Sequence, residues 1–578
     1  MSNIFDFGLA ARTLRDSPRL AWVRGWMEAD PESERVRTAK RRLAIVWWLA
    51  ATLVLGWGAR MRFGLPQTPV IDPDIEGYLG PALSALSGQH FLHILGRSFP
   101  YPGFVYVVLR VFGDFRAIGC VQHVLGLGAG ALILAAWNGA GRLVPAGGFP
   151  KPLYPFLGLA PAFTYLASDR MLVFEQEIRP EAIFPFLVIL TMWMGFLFLH
   201  ARFVRPRRMA ALWLGALNVF LACLLYEMKP SFGFGVIFCT LPVWCSLFAG
   251  GVAPNRVALL AAAILPALLL LAVPEHMLKR HDAGGETFLP ETLLSIHAKI
   301  IERQMAEDLA GTGPLPYPRP FLESAHALLV SEIGKASQVT RPKAFVTLGT
   351  NPDYLMYGHS FCAKLVSENH LSKKQMAAFC MTYYKRALIH HPGAMAVKVL
   401  RQLVLVYQFK CPIYWVGHTI DLSTEYYSRV AQLIGHSARH GPGLEMLSRY
   451  VQSCAQLAPK HIVLLQSNRF LDWLHFLAPQ YLLFLIFAVV SPVFLLRNAQ
   501  MRPHFLWLVV AVLEAYGYGI GNSLTIAVVH TLEVYRYVYA QLIFALFAQS
   551  LGSYLLLEWI AFRVRAGLHG NAEKASNG

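Results

Sequence analysis

Ten apolar runs, most of them long enough to cross a bilayer as a helix, are spread over the 578 residues, and no other feature limits the fold as much. A span takes about 20 mainly apolar residues, because the hydrocarbon core is about 30 Å thick and a helix rises about 1.5 Å per residue. The runs are Leu43 to about Arg60, Ala117–Trp137, Leu153–Leu166, Ala182–His200, Met209–Tyr226, Phe232–Ala249, Val257–Val273, Gln480–Leu496, Phe505–Ile520 and Tyr535–Ile560. The third is short and interrupted by Pro155 and Pro161. Only 15% of the residues are charged and 55% are hydrophobic, whereas soluble proteins carry roughly a quarter charged residues. A water-soluble chain is excluded, and the fold class expected is an all-α polytopic membrane protein with about ten transmembrane helices.

The formal net charge of +17 would suggest a nucleic-acid partner in a soluble chain. Here cytoplasmic loops rich in Lys and Arg explain it more simply, and no nucleic acid is expected. Residues 1–42 form a basic cytoplasmic segment ending in Arg35, Arg37, Lys40, Arg41 and Arg42, too long and polar for a cleavable signal peptide. The alternate inner loops carry Arg142 and Lys151, then Arg202, Arg205, Arg207 and Arg208, then Arg256, then Arg497 and Arg502, and finally Arg563 and Arg565. Acidic residues gather outside: Asp72, Asp74 and Glu76; Asp169, Glu175, Glu177 and Glu181; and Glu533. The division expected is spans one to seven over 43–273, an outer, mainly helical domain over 274–476, spans eight to ten over 477–562, and a cytoplasmic tail over 563–578.

Within the outer domain, periodicity predicts helices over Glu291–Leu309, Lys373–His390 and Ala394–Phe409. The last sets Met395, Val399, Leu403 and Val406 on one side, with Lys398 and Arg401 elsewhere. That pattern suits a helix on the membrane surface and, equally, a packed helix of the domain. Cys362, Cys380, Cys411 and Cys454 allow two disulfides in three pairings, or four buried thiols. No Cys or His spacing suggests a structural zinc site.

Charged groups at span ends are functional candidates, because they are costly near lipid unless paired or wetted. The first outer loop reads Asp72-Pro-Asp74-Ile-Glu76-Gly-Tyr78, with Asp74 placed to cap a helix beginning at Ile75. The second places Glu177 and Glu181 on either side of Pro180, and Glu181 suits a helix N-terminus. Lys229 ends the fifth span, where snorkelling is its ordinary role. His530, Glu533 and Arg536 open the last span; Glu533 and Arg536 could simply pair, and Tyr535, Tyr537 and Tyr539 suit an interfacial belt.

Taken in order, these pieces resemble the GT-C glycosyltransferases, multispan enzymes that use polyprenyl-phosphate sugars and include the aminoarabinose transferases and protein O-mannosyltransferases. The resemblance rests on Asp74 with Tyr78, on Arg97-Ser-Phe-Pro-Tyr101-Pro-Gly, on Glu181, on Lys229-Pro, and on His530, Glu533, Arg536 and Tyr537. It implies a catalytic base at Asp74, with Asp72 as alternative or helper, and a second catalytic acid at Glu181. Lys229, Arg536, Arg97 and Arg401 are then candidates for the donor phosphate, and Glu76, Tyr78, Tyr101, Glu177, His530, Glu533 and Tyr537 for the substrates. It further implies inverting transfer on the periplasmic side of a bacterial inner membrane, to a glycan, lipid or protein acceptor. It names no definite cofactor and leaves room for a divalent metal at the acidic loops. The outer domain, late in the chain, departs from the many members whose soluble domain follows the last span.

Two other classes stay open at this level. A lipid or sugar transporter should show internal repeats and charges near the bilayer midplane, and no repeat is visible. A ligase or polymerase of the O-antigen type would rely on His390, His391 and Arg401 of the outer domain rather than on an acidic first loop.

Overall fold

The computed structural model describes residues 34–70, 74–91, 97–144, 149–248, 253–281, 288–338, 345–357, 360–407, 420–422, 441–457, 462–464 and 501–576, with a few positions between 490 and 499. Seven helices among these residues are long and apolar enough to cross a membrane: Arg37–Phe63, Arg116–Gly141, Phe184–Val204, Arg208–Met228, Leu260–Leu278, Arg502–Val529 and Ala545–Arg565. The chain is thus a helical polytopic membrane protein whose described residues add a small antiparallel pairing of Ile420–Leu422 with Ile462–Leu464 and an isolated bridge.

Two of the expected spans are short, broken helices. The region around Leu153–Leu166 forms Tyr154–Leu157 and Leu159–Ala167, with Gly158 between them. Gly158 lies against Trp137, whose indole would stand 2.6 Å from any Cβ placed there. The region around Phe232–Ala249 divides into Gly233–Cys239 and Leu241–Phe248. The break falls at Thr240, whose hydroxyl donates to the Val236 carbonyl, just before Pro242, which has no N–H to give. The run Gln480–Leu496 lies mostly outside the described residues.

The membrane core packs around Trp137, Tyr154, Phe196, Tyr516 and Phe547. A second cluster joins the first outer loop, through Ile75, Leu79, Leu83 and Tyr101, to the helix Pro442–Leu457, through Met446 and Tyr450. Tyr450 stacks on Phe115 at 4.3 Å and donates its hydroxyl to the Pro69 carbonyl at 2.7 Å, so a late segment braces the first loop from below.

The helices between the fifth and sixth long apolar helices, which the sequence reading assigns to an outer domain, have their own core of Leu294, Ile301, Met305, Leu329, Phe361, Phe379 and Tyr383. The predicted helix over Lys373–His390 is present with those bounds, and Ser372 and Gln375 start it by a reciprocal capping box. The helix expected over Glu291–Leu309 is two, Leu289–Ile296 and Ala298–Ala310, parted at His297, whose ring Nδ1 lies 2.9 Å from the Leu293 carbonyl. The third is Pro392–Tyr407: Met395 and Val406 are buried, Val399 and Leu403 pack against the cluster that holds Val406, and Arg401 is exposed, as the sequence reading has it, but Lys398 is buried too, together with Gln402. Cys362, Cys380 and Cys454 are buried thiols with no disulfide, and Cys411 lies outside the described residues.

Candidate functional site

The two acidic loops are joined by a single parallel bridge. Val70 donates its amide to the Gln176 carbonyl at 2.7 Å, and its carbonyl accepts from Ile178 at 3.1 Å. This clip holds Asp74, four residues downstream, beside the segment from Glu177 to Glu181. Beneath it lies a fully buried polar cluster. Arg62, at the end of the first span, donates to Glu175 at 2.7 Å and to the Leu166 carbonyl at 3.0 Å. The other oxygen of Glu175 lies 2.9 Å from His123 Nδ1, and Gln176 meets His123 Nε2 at 2.8 Å. This arrangement assigns the imidazole proton to Nδ1, with Nε2 accepting from the Gln176 amide. Gly126 leaves the space Glu175 occupies, since a Cβ there would stand 2.1 Å from the carboxylate. Gln122 completes the platform by donating to the carbonyls of both Glu175 and Glu177, at 2.8 and 3.0 Å.

On this platform a cleft of about 70 Å³ is lined by Asp74, Tyr78, Arg97, Arg179, Glu181, Lys229 and Tyr537, with Ser98, Met228 and Pro230. Asp74 occupies the N-cap position of the helix Ile75–Leu86, as its sequence suggests, but makes no side-chain cap bond. Its carboxylate instead pairs with Arg97 at 3.3 Å. The Arg97 guanidinium lies 4.9 Å over the ring of Tyr78, a cation–π contact. Gly77 is needed for this approach, since a Cβ there would stand 2.8 Å from Arg97 Cγ. Burial pushes the Tyr78 phenol up to about 12, against the opposing pull of the Arg97 charge. Tyr78 packs edge-on against Tyr101 at 5.4 Å, and Tyr101 donates to Gln122 at 2.8 Å. Tyr101 therefore ties the cleft to the platform from behind, and burial holds its phenol well above the usual range.

Opposite Asp74, Glu181 sits in the 3-10 turn Pro180–Ala182 that leads into the fourth span. Lys229, next to the end of Arg208–Met228, bonds its carboxylate, so this lysine does not simply snorkel. The Lys229 ammonium also lies 5.0 Å over the Tyr537 ring, which places that tyrosine in the cleft. Arg179 links the two glutamates, at 2.7 Å to Glu177 and 3.7 Å to Glu181. Three cations and two carboxylates thus line the cleft, a net excess of one positive charge.

Other candidates fall elsewhere. Glu76 is exposed and outside the lining, and Glu177, also outside it, pairs with the lining residue Arg179. His530 stands behind Tyr537 at 5.1 Å between ring centres. Glu533 accepts from the hydroxyl and amide of Thr347, at 2.7 and 3.2 Å, and so turns toward the outer domain. Arg401 lines a different cleft in that domain. His390 meets Gln304 at 3.0 Å and His391 lies 3.1 Å from Glu307, neither of them beside Arg401. Asp72 and the side chain of Arg536 lie outside the described residues. Among the described residues, no three His, Cys, Asp or Glu side chains are grouped to hold a metal ion.

Arg179 and Glu275 were not selected from sequence. Arg179 carried a signal, a cation with glutamates two residues away on each side. Glu275 carried none. It is buried in the last turn of the fifth long apolar helix, Leu260–Leu278, and accepts from the Phe99 amide at 3.0 Å, which anchors the loop bearing Arg97.

No family model and no curated protein sequence matches the chain. Two solved structures are similar over most of its length, both of ArnT from Cupriavidus metallidurans. The crystal structure bound to undecaprenyl phosphate shares 13% identity over 89% of this chain and 77% of that one, with a TM-score of 0.31. The crystal structure in the apo state shares 14% over 85% and 78%, with a TM-score of 0.27. With scores this low, the assignment of function rests on the residues of the cleft.

Proposed function

We propose that the chain is a membrane glycosyltransferase of the GT-C type, moving a sugar from a polyprenyl-phosphate donor to a hydroxyl acceptor on the outer, periplasmic side. The observation that carries this reading is the convergence of Asp74, Arg97, Glu181, Lys229 and Tyr537, from widely separated parts of the chain, on one cleft beside the ends of long apolar helices. ArnT, seen with undecaprenyl phosphate, is in keeping with a lipid-phosphate donor.

The chemistry follows from the charges. A sugar bonded at C1 to a phosphodiester carries one negative charge, which the net positive cleft offsets. As an acceptor hydroxyl attacks C1, the new C1–O bond forms, the C1–O bond to phosphate breaks, and that electron pair leaves on the phosphate. The leaving phosphate monoester gains charge, which Arg97, Arg179 and Lys229 are positioned to neutralise, and preorganised charges of this kind act most strongly where water is excluded. The hydroxyl proton passes to the Asp74 carboxylate as general base. Before the donor arrives, Glu181 keeps Lys229 and Arg179 at the cleft. Direct displacement inverts the anomeric centre.

The cleft is about the size of two waters. Substrate entry therefore parts the Asp74–Arg97 and Glu181–Lys229 pairs, releasing both cations to the donor. Asp74→Asn and Glu181→Gln, expressed at normal levels in cells lacking the native gene, are expected to abolish glycan modification. Full modification by either variant would contradict its catalytic assignment.

A further inference from the structure

The helix Pro392–Tyr407 is inside out for a helix of a water-facing domain. It buries Lys398 and Gln402 while presenting Val397, Leu400 and Val404, which are 45%, 59% and 64% exposed. Their spacing sets them on one stripe. The buried side follows the outer part of the span Arg502–Val529. Lys398 donates to the carbonyls of Ala527 and His530, at 2.5 and 2.9 Å, supplying hydrogen bonds where a helix end leaves carbonyls unpaired. Nine residues on, the Tyr407 hydroxyl reaches Ser523 Oγ at 2.7 Å and the Gly519 carbonyl at 3.3 Å. Gly519 lies ten residues inside the end of that span, roughly 15 Å along its axis at 1.5 Å per residue. The helix therefore descends beside the span instead of standing above it.

At its upper end is a cleft of about 360 Å³ whose charged lining is Lys299, Lys398 and Arg401, with no carboxylate. Lys299 and Arg401 are exposed, and Lys299 donates to the Gly349 carbonyl at 3.2 Å. Val397 belongs both to this cleft and to the apolar stripe, so cationic and apolar surfaces are continuous.

We propose that Pro392–Tyr407 lies in the outer leaflet with Val397, Leu400 and Val404 against acyl chains, and that the cleft with Lys299 and Arg401 takes the anionic headgroup of a bilayer phospholipid. The stripe selects a lipid over a water-soluble anion, because a soluble ligand would leave it facing water. The same helix grips the segment that enters the transfer cleft: Gln402 accepts from the Leu532 amide at 2.5 Å and the Thr531 hydroxyl at 3.1 Å. Lipid contact at this helix thereby positions the loop ahead of Tyr537.

Full-length protein in nanodiscs, carrying a fluorescent non-natural residue at Leu400 or at the exposed Lys373, tests the placement. The Leu400 probe is expected to be quenched by spin-labelled lipid and shielded from an aqueous quencher, with the reverse at Lys373. Equal aqueous quenching at the two positions would overturn the proposal. Native mass spectrometry of protein from discs doped with phosphatidylglycerol tests the headgroup. Retained phosphatidylglycerol is expected to fall at least about tenfold in Lys299→Gln/Arg401→Gln, since each cation near an anionic surface adds to the attraction. Equal retention in the double variant, or release of the lipid by millimolar inorganic phosphate, would contradict a phospholipid occupant.

Discussion

Lys229 and Glu181 are hydrogen-bonded across the mouth of the cleft, joining the end of one spanning helix to the turn that begins another. Both side chains are largely buried, at 14% and 5% exposed. Removing one partner of a buried pair costs about 3–5 kcal/mol when nothing else meets the charge left behind, and Arg179, 3.7 Å from Glu181, reduces that cost when Lys229 is the residue removed. Lys229→Met is therefore expected to lower thermal stability, and Lys229→Met/Glu181→Gln to recover most of it. Neither variant regains activity, because both lack the phosphate cation, whose loss costs roughly 10²–10³-fold in rate. Thermal unfolding and turnover measured on the same preparations separate the two effects.

Asp74 and Arg97 behave differently, because their side chains are 27% and 32% exposed and stand 3.3 Å apart. A partly wetted pair contributes about 0–1 kcal/mol. Asp74→Asn is expected to unfold at nearly the native temperature while losing roughly 10²–10⁴-fold in turnover, the range for a removed general base. A variant equally active and equally stable would remove Asp74 from the chemistry.

The buried Arg62–Glu175–His123 cluster supports the second acidic loop without lining the cleft. Glu175→Gln leaves Arg62 without its counter-charge in a site that is 0% exposed. A loss of about 3–5 kcal/mol follows, seen as a lower unfolding midpoint and a smaller folded yield after extraction. Unchanged stability would mean that the cluster does not set the loop.

Tyr78 gives a pH signature. Its folded phenol is raised to about 12, chiefly by burial, whereas an unfolded tyrosine ionises near 10. Its contribution to stability is fully present below about pH 10 and is lost as pH rises toward 12, because only the unfolded state releases the proton over that interval. Denaturation of the native protein and of Tyr78→Phe across this range should show the native protein losing about 2–3 kcal/mol relative to the variant. Parallel pH profiles would place the Tyr78 phenol in an ordinary aqueous setting.

Much of the cleft was legible because its pieces have local signals. Asp74 and Tyr78 stand one helical turn apart, Lys229 precedes a proline at a span end, and Glu181 follows one at a span start. The remainder depends on contacts between distant segments. The Val70–Glu177 bridge, the Glu275 carboxylate under Phe99 and the Tyr450 brace under Pro69 leave no periodic trace in the chain. The facing of Pro392–Tyr407 was read in reverse for Lys398, because a charged residue buried by capping another helix cannot be told locally from one facing water.

The most direct measurement is of the lipid-linked sugar itself. Lipids from cells lacking the gene, and from cells complemented with native protein or with Asp74→Asn, are compared by mass spectrometry. A polyprenyl-phosphate sugar should accumulate in the first, return to the normal level with native protein, and stay high with Asp74→Asn. Identical lipid profiles in all three would contradict transfer from a polyprenyl-phosphate donor.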